Sequence, residues 1–378
     1  EGQELGQFWA KLNVGNAKVK KTTANESITK ANAMYSIAGA TFGIFSDQNC
    51  SNQIGTLTTN ENGDTNEVEV TAGTVYIKEL SAPKGYKLDT TVRSLKVEAG
   101  KTAVLNVSDV PKVTETLVDL FKIDMETGKA TAQGNAALAG AEFTWHYYDG
   151  LYTKGNLPEK ATRTWVTKTV AEKDSNGTVH YVTKLVDAYK VSGDVFYTQN
   201  EKNVLPLGTL TVEETKAPDG YLLDGAYMQA GDSTEQIKGM YLTQITEDGE
   251  LAVLSGSNQY SVSDQVIRGG VKIQKRDLET KETKAQGSAT LKDTAFAIIS
   301  LNENSVLVEG KLYKKNETVK TIQTGIDGIA TTTADLLPYG KYKLEETKAP
   351  EGYLTDGAKA IEFSITENGK IVDLTDES

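Results

Sequence analysis

Three glutamates in this chain stand where strand alternation turns a carboxyl group toward the core. In Thr209-Leu210-Thr211-Val212-Glu213-Glu214, residues two apart share a face, so Glu214 lies with Leu210 and Val212 while Glu213 joins Thr211 on the polar side. Glu346 follows Tyr342 and Leu344 in the same way, and Glu79 follows Val75 and Ile77. Three lysines pass the same test: Lys21 after Ala17 and Val19, Lys122 after Val118 and Leu120, and Lys275 after Val271 and Ile273. Phe121 and Ile123 make both faces apolar around Lys122, and Lys20 stands beside Lys21 as a rival. Three aspartates complete the set, Asp109 after Leu105 and Val107, Asp264 after Tyr260 and Val262, and Asp376 after Val372 and Leu374. Charged side chains are almost never enclosed unless paired, so each inward lysine needs its carboxyls.

Such a cluster permits a definite reaction. Burial disfavours charge, lowering the pKa of a lysine and raising those of carboxylic acids, so a neutral amine can face protonated carboxyls. An amine held against the carboxyl carbon of an aspartate gains most of its rate from proximity, and a protonated glutamate can polarise the carbonyl and shuttle protons. The product is a side-chain amide, formed with loss of water, and it removes both charges from the core.

The elements that must position these residues repeat. Glu214-Thr215-Lys216-Ala217-Pro218-Asp219-Gly220-Tyr221 recurs as Glu346-Thr347-Lys348-Ala349-Pro350-Glu351-Gly352-Tyr353 and, degenerately, as Glu79-Leu80-Ser81-Ala82-Pro83-Lys84-Gly85-Tyr86. These copies are spaced far beyond the roughly 20–50 residues of solenoid repeats, so each marks a whole domain. The boundaries read as 1–112, 113–267 and 268–378, each unit opening with a Lys strand and closing with an Asp strand. Glu79 to Asp109 and Glu346 to Asp376 are equal separations, whereas the second unit carries extra material over about 146–205. Short Val/Ile/Thr/Tyr runs broken by turns, without long amphipathic helical patterns, predict an all-β chain of antiparallel sandwiches.

The Lys-strand openings, Leu138-Ala139-Gly140-Ala141-Glu142-Phe143 with its relative Ile37-Ala38-Gly39-Ala40-Thr41-Phe42, and the Glu-Thr-Lys-Ala-Pro-x-Gly-Tyr box resemble the CnaB-type, SpaA-like domains of Gram-positive pilins and collagen-binding surface adhesins. The resemblance spans almost the whole chain. It implies three tandem transthyretin-like, inverse-immunoglobulin β-sandwiches in an elongated arrangement. It further implies spontaneous isopeptide bonds Lys21–Asp109, Lys122–Asp264 and Lys275–Asp376, assisted by the acids Glu79, Glu214 and Glu346. The expected role is a structural stalk or pilin-like adhesin segment, extracellular and attached to a cell wall, whose only catalysis is this single internal turnover. Other surface or pilus subunits are the implied partners. No sorting signal of the Leu-Pro-x-Thr-Gly type and no pilin motif occurs in these residues, so polymerisation is not supported by them.

Composition narrows the rest. The 378 residues, 24% charged with a formal net charge of −12, suit two to four folded domains and disfavour nucleic acid and anionic membrane as partners. No 18-residue apolar run and no charged-then-apolar start occurs, which suggests a soluble piece or one without its signal and anchor. Cys50 is the only cysteine, excluding an internal disulfide, and reads as incidental. His146 and His180 are the only histidines, and no nucleophile elbow, zinc motif or phosphate loop occurs, so neither hydrolase, cofactor nor metal is expected. Asn60-Glu61-Asn62-Gly63-Asp64 has the acids to attract Ca²⁺ but not the full loop pattern, and reads as a hairpin turn. The aromatics Tyr147, Tyr148, Tyr152, Trp165, Tyr181, Tyr189 and Tyr197 of the enlarged stretch offer a rival reading, a face for a host matrix protein or glycan. Extra strands on a larger sandwich are the simpler explanation of them.

Overall fold

A computed structural model describes residues 8, 10–115, 119–228, 236–249, 260–356 and 358–376. Val118 and the side chain of Tyr260, used above to aim Lys122 and Asp264, lie outside them. The regular structure of the described chain is nearly all strand, and its ladders fall into three successive groups spanning Val14–Asp109, Val113–Asp264 and Arg268–Asp373.

The first group shows the plan. Val14–Thr23 alternates between half-buried and buried positions up to Lys21, because Lys18 and Lys20 point out while Ala17, Val19 and Lys21 point in. This strand pairs antiparallel with Val68–Thr71 and parallel with the closing strand Thr102–Asp109. A second sheet orders Gln53–Thr58, Thr41–Phe45, Gly73–Ser81 and Arg93–Val97. The core lies between the sheets, where Val19, Val70 and Val107 meet Phe42, Ile44, Leu57 and Ile77. First and last strands are therefore neighbours, which brings the two ends of the unit together.

The second and third groups repeat the plan, with Asp119–Asp124 parallel to Tyr260–Asp264 and Arg268–Gln274 parallel to Ile371–Asp373. In the enlarged stretch Arg163–Lys168 and Val179–Lys184 take the places that Gln53–Thr58 and Val68–Thr71 hold in the first group, while Lys190–Gly193 and Val170–Lys173 add an outer strand to each sheet. Its aromatics mostly fill the larger core. Trp165 and Tyr147 are fully buried, Tyr148, Tyr189 and Tyr197 nearly so, and Trp165 stacks on Phe196 at 5.3 Å. The Asn60–Asp64 segment is a turn, with Asn60 Oδ1 accepting the N–H groups of Asn62 and Asp64.

The groups are not isolated beads. Ile28, Met34, Tyr35 and Tyr86 of the first belong to the same apolar cluster as Trp145 and Leu207 of the second. Tyr35 Oη donates to Lys112 O at 2.6 Å and accepts the Leu207 N–H at 2.8 Å, and Asn32 Nδ2 donates to Tyr147 Oη at 2.9 Å. Replacing Tyr35 by Phe leaves a part-buried carbonyl and a buried N–H without this hydroxyl, a loss of about 1–3 kcal/mol. Urea unfolding of Tyr35→Phe should show that loss, with the first group melting earlier than the second.

Candidate functional site

Lys21 and Lys122 have no solvent-exposed surface. Lys21 Nζ lies 2.5 Å from Glu79 Oε1 and 2.5 Å from Asp109 Oδ2, and Lys122 Nζ lies 2.6 Å from Glu214 Oε2 and 2.6 Å from Asp264 Oδ2. Three elements position each triad. The lysine comes from the opening strand, the glutamate from the facing sheet, and the aspartate from the parallel closing strand, opposite the residue two beyond the lysine: Asp109 pairs with Thr23, and Asp264 with Asp124. The adjacent rival is settled by geometry, since Lys20 points outward to Asn62 O and Asp64 Oδ2, both at 2.8 Å.

The third unit is different. Lys275 Nζ meets Glu346 Oε2 at 2.6 Å, but the lysine side chain is 18% exposed. Asp376 is not brought to it: its side chain is 99% exposed and lies 3.5 Å from Arg276. Register explains the miss. The parallel ladder pairs Gly270 with Ile371 and Lys272 with Asp373 and ends there; counted on, this register would set Asp376 opposite Lys275 itself, two residues short of the offset found for Asp109 and Asp264.

The environment favours neutral groups. Burial raises the pKa of Glu79, against the opposing pull of Lys21. Burial also pushes Glu214 up to about 8, with the charge of Lys122 opposing it and that of Asp264 adding to it. Asp264 is raised too, again chiefly by burial. Among the described residues, Asp109 Oδ2, both Asp264 oxygens, Glu214 Oε1 and Glu346 Oε1 are buried without a hydrogen-bonding partner. Each aspartate nevertheless has a lysine nitrogen within 2.6 Å of one oxygen. A buried amine beside an acid of this kind is arranged for attack on the carboxyl carbon as much as for an ion pair.

Several contributors escaped the alternation test. Phe42, Phe143 and Phe296 stand opposite Glu79, Glu214 and Glu346, each just after a shift in register. The rings of Phe42 and Phe143 lie under the lysine nitrogens, at 4.9 and 5.9 Å. The Ala-x-Phe of the first two was visible in sequence as a motif without a role, and Thr294-Ala295-Phe296 lacked the preceding Gly-Ala that would have drawn attention to it. Gly225 lines the second triad so closely that a Cβ there would fall 2.5 Å from Glu214 Oε2 and 3.1 Å from Asp264 Oδ1.

The tyrosine of the repeated box also acquires a role. Tyr221 Oη donates to the buried Asp124 at 2.8 Å and Tyr353 Oη to Asp277 at 2.7 Å, and Gln133 and Gln286 bind the same carboxylates. Asp277 is held well below the usual carboxylate range, first by the Thr280 N–H and then by Tyr353. The signal was an aspartate two residues after the inward lysine in both units; the first unit has Thr23 there, and Tyr86 packs edge-on against Tyr35 instead.

Two-sheet units whose first and last strands pair in parallel over a buried triad define a prealbumin-like sandwich. The model of the SpaA prealbumin-like fold domain matches residues 15–111 and 269–378. The chain belongs to that family. The enlarged middle unit lies outside both matched segments. Among solved structures the chain is similar to the Bacillus anthracis TIE protein, at 25% identity and a TM-score of 0.57, covering 96% of this chain and 50% of that one. The chain thus spans about half the length of that structure. It is more distantly similar to BcpA, the major pilin subunit of Bacillus cereus, at 18% identity and a TM-score of 0.33, covering 96% of this chain and 98% of that one. No curated protein matches the sequence. None of the described helices is long and apolar enough to cross a membrane.

Removing Lys122 isolates the effect of its carboxyls. In Lys122→Met the main influence holding Glu214 and Asp264 down is gone, so both stay raised by burial while unfolded carboxyls titrate near their ordinary values. The folded state then binds more protons than the unfolded state above about pH 4.5, and stability falls as pH rises toward and past 8. Thermal melts at pH 5 and pH 8 should show the variant less stable at the higher pH; equal stability would contradict buried, protonated acids.

Proposed function

We propose that this chain is a segment of an extracellular, cell-wall-attached stalk of a Gram-positive bacterium, whose units are locked by spontaneous Lys–Asp isopeptide bonds. The observation that carries this reading is the pair of fully enclosed lysines, each within 2.6 Å of a glutamate and of an aspartate whose facing oxygen has no hydrogen bond. Membership of the SpaA prealbumin-like family supports the structural role.

In the proposed step the neutral lysine Nζ attacks the aspartate Cγ, the glutamate acid protonates the carbonyl oxygen, and the tetrahedral adduct loses water as the nitrogen gives up its proton. The N–C bond forms, a C–O bond breaks, and the glutamate ends protonated as it began. Lys21 with Asp109 and Glu79, and Lys122 with Asp264 and Glu214, carry it. Lys275, Glu346 and Asp376 would complete a third set only after the closing strand advances by two residues. The reaction is single and internal, so the chain is a structural protein rather than an enzyme, with its units at 1–112, 113–267 and 268–378. Closing loops of roughly 90–140 residues stabilises each unit by about 4–5 kcal/mol on the chain-entropy estimate. The amide also resists reduction. A chain whose only cysteine is Cys50 gains in this way what extracellular proteins often obtain from disulfides.

Other surface or pilus subunits are the partners this role implies. Recognition of a host matrix protein or glycan by the enlarged unit is less favoured, because Trp165, Tyr147, Tyr148, Tyr189 and Tyr197 are buried rather than displayed.

The intact mass of the denatured, unreduced chain tests the proposal. The geometry leads us to expect a deficit of two waters, with peptide mapping linking Lys21 to Asp109 and Lys122 to Asp264; a third lost water would map to Lys275 and Asp376. The full unmodified mass would reduce the triads to ion pairs. Glu214→Ala should retain one water more than the parent and leave the Lys21 link intact.

A further inference from the structure

The junction between the second and third units is a plug in a socket. Arg268, at the head of the third unit, donates through Nε and Nη2 to the two oxygens of Glu126, both at 2.6 Å. Its own unit holds the guanidinium through Leu336 O at 2.8 Å and Leu307 O at 2.6 Å. Gln133 Oε1 accepts the Leu307 N–H at 2.8 Å. Gly134, at φ +58°, lies so near Tyr339 that a Cβ would meet its carbonyl oxygen at 2.1 Å. The Tyr339 ring packs with Ala136 and Tyr221, and its hydroxyl reaches Asp219 at 3.3 Å.

Six of the socket positions recur at the far end of the third unit. Glu279 stands for Glu126, Gln286 for Gln133, Gly287 at φ +57° for Gly134, Ala289 for Ala136, Glu351 for Asp219 and Tyr353 for Tyr221. The internal wiring recurs with them. Gln286 Nε2 donates to Asp277 and Glu279, each at 3.1 Å, as Gln133 Nε2 does to Asp124 and Glu126. The Ala289 N–H goes to Gln286 O and the Thr290 N–H to Glu351 O, matching Ala136 to Gln133 and Ala137 to Asp219. Here the surface is open: a groove of about 600 Å³ runs along Asp277, Glu279, Gln286, Ala289 and Tyr353, flanked by Leu278, 65% exposed, and Leu354, 82% exposed.

We propose that this open end is a docking socket for another prealbumin-like unit joined in tandem to the third, one carrying an arginine where the third unit carries Arg268. The charge complement is set by Glu279, and the approach by the closing strand once it takes the register of the second unit, in which Asp264 leads into Arg268 through only Gln265, Val266 and Ile267. The first unit of a second copy does not fit, because Val14 and Ala72 occupy the places of Arg268 and Tyr339. The inference extends the stalk reading, and cross-link masses report on that reading separately.

The test appends a second copy of residues 267–378 directly after Ser378, so that the new arginine stands as far past Asp376 as Arg268 stands past Asp264. Limited proteolysis at the new junction and the maximum dimension from solution scattering are measured. Docking predicts that the new junction and the Asp264–Arg268 junction resist cleavage alike. Glu279→Arg should speed cleavage there about tenfold or more, as expected for losing a charge-assisted bidentate pair. Reversing the appended arginine to Glu should restore resistance in that background. Glu126→Arg in the unextended chain is the internal reference. Rapid cleavage at the new junction irrespective of residue 279, with Glu126→Arg sensitising the internal one, would overturn the proposal.

Discussion

The structure depends on the cost of enclosing a lysine. An ammonium group removed from water is tolerated only where opposite charge or proton transfer compensates it, and Lys21 and Lys122 have no water to fall back on. Each is met by two carboxyls supplied by two other strands. The triad consequently makes two ties at once: the two sheets to each other through lysine and glutamate, and the first strand to the last through lysine and aspartate. Where one partner is missing the enclosure fails, as at Lys275, whose side chain reaches solvent while Asp376 stays outside.

Parallel pairing of the terminal strands is what makes the triad possible. Antiparallel hairpins join neighbours in sequence, whereas the crossover between Val14–Thr23 and Thr102–Asp109 spans an entire unit. A bond placed there closes nearly the whole unit into a loop and lies in line with any force applied to its ends. The register of that one ladder decides whether an aspartate meets its lysine, and a slip of two residues keeps the side chain on the same face while moving it a full repeat along the strand.

The junctions put the repetition to a second use. The carboxamides Asn32 and Gln133 occupy the same place in their units, and both reach across to the following one, to Tyr147 Oη and to the Leu307 N–H. Units linked through buried tyrosines and a bidentate arginine pair have restricted relative motion, which suits a stalk better than a flexible string does.

Alternation was enough to aim Glu79, Glu214, Lys21 and Asp109 inward, because a strand buried on one face leaves each side chain only two directions. The repeated box marked three units, and regular turn punctuation identified an all-β chain. Sequence by itself could not choose between Lys20 and Lys21 without the partners at Asn62 and Asp64, nor see that Phe42 and Gly225 border the triads, nor show the box tyrosine capping Asp124. Asp376 illustrates the limit: its neighbours Val372 and Leu374 aimed it inward, but the ladder against Arg268–Gln274 ends at Asp373 in a different register and Asp376 stays exposed. Parity is a property of one strand and is written in its residues. Register, enclosure and the meeting of units are properties of pairs of distant strands, and only the tertiary structure decides them.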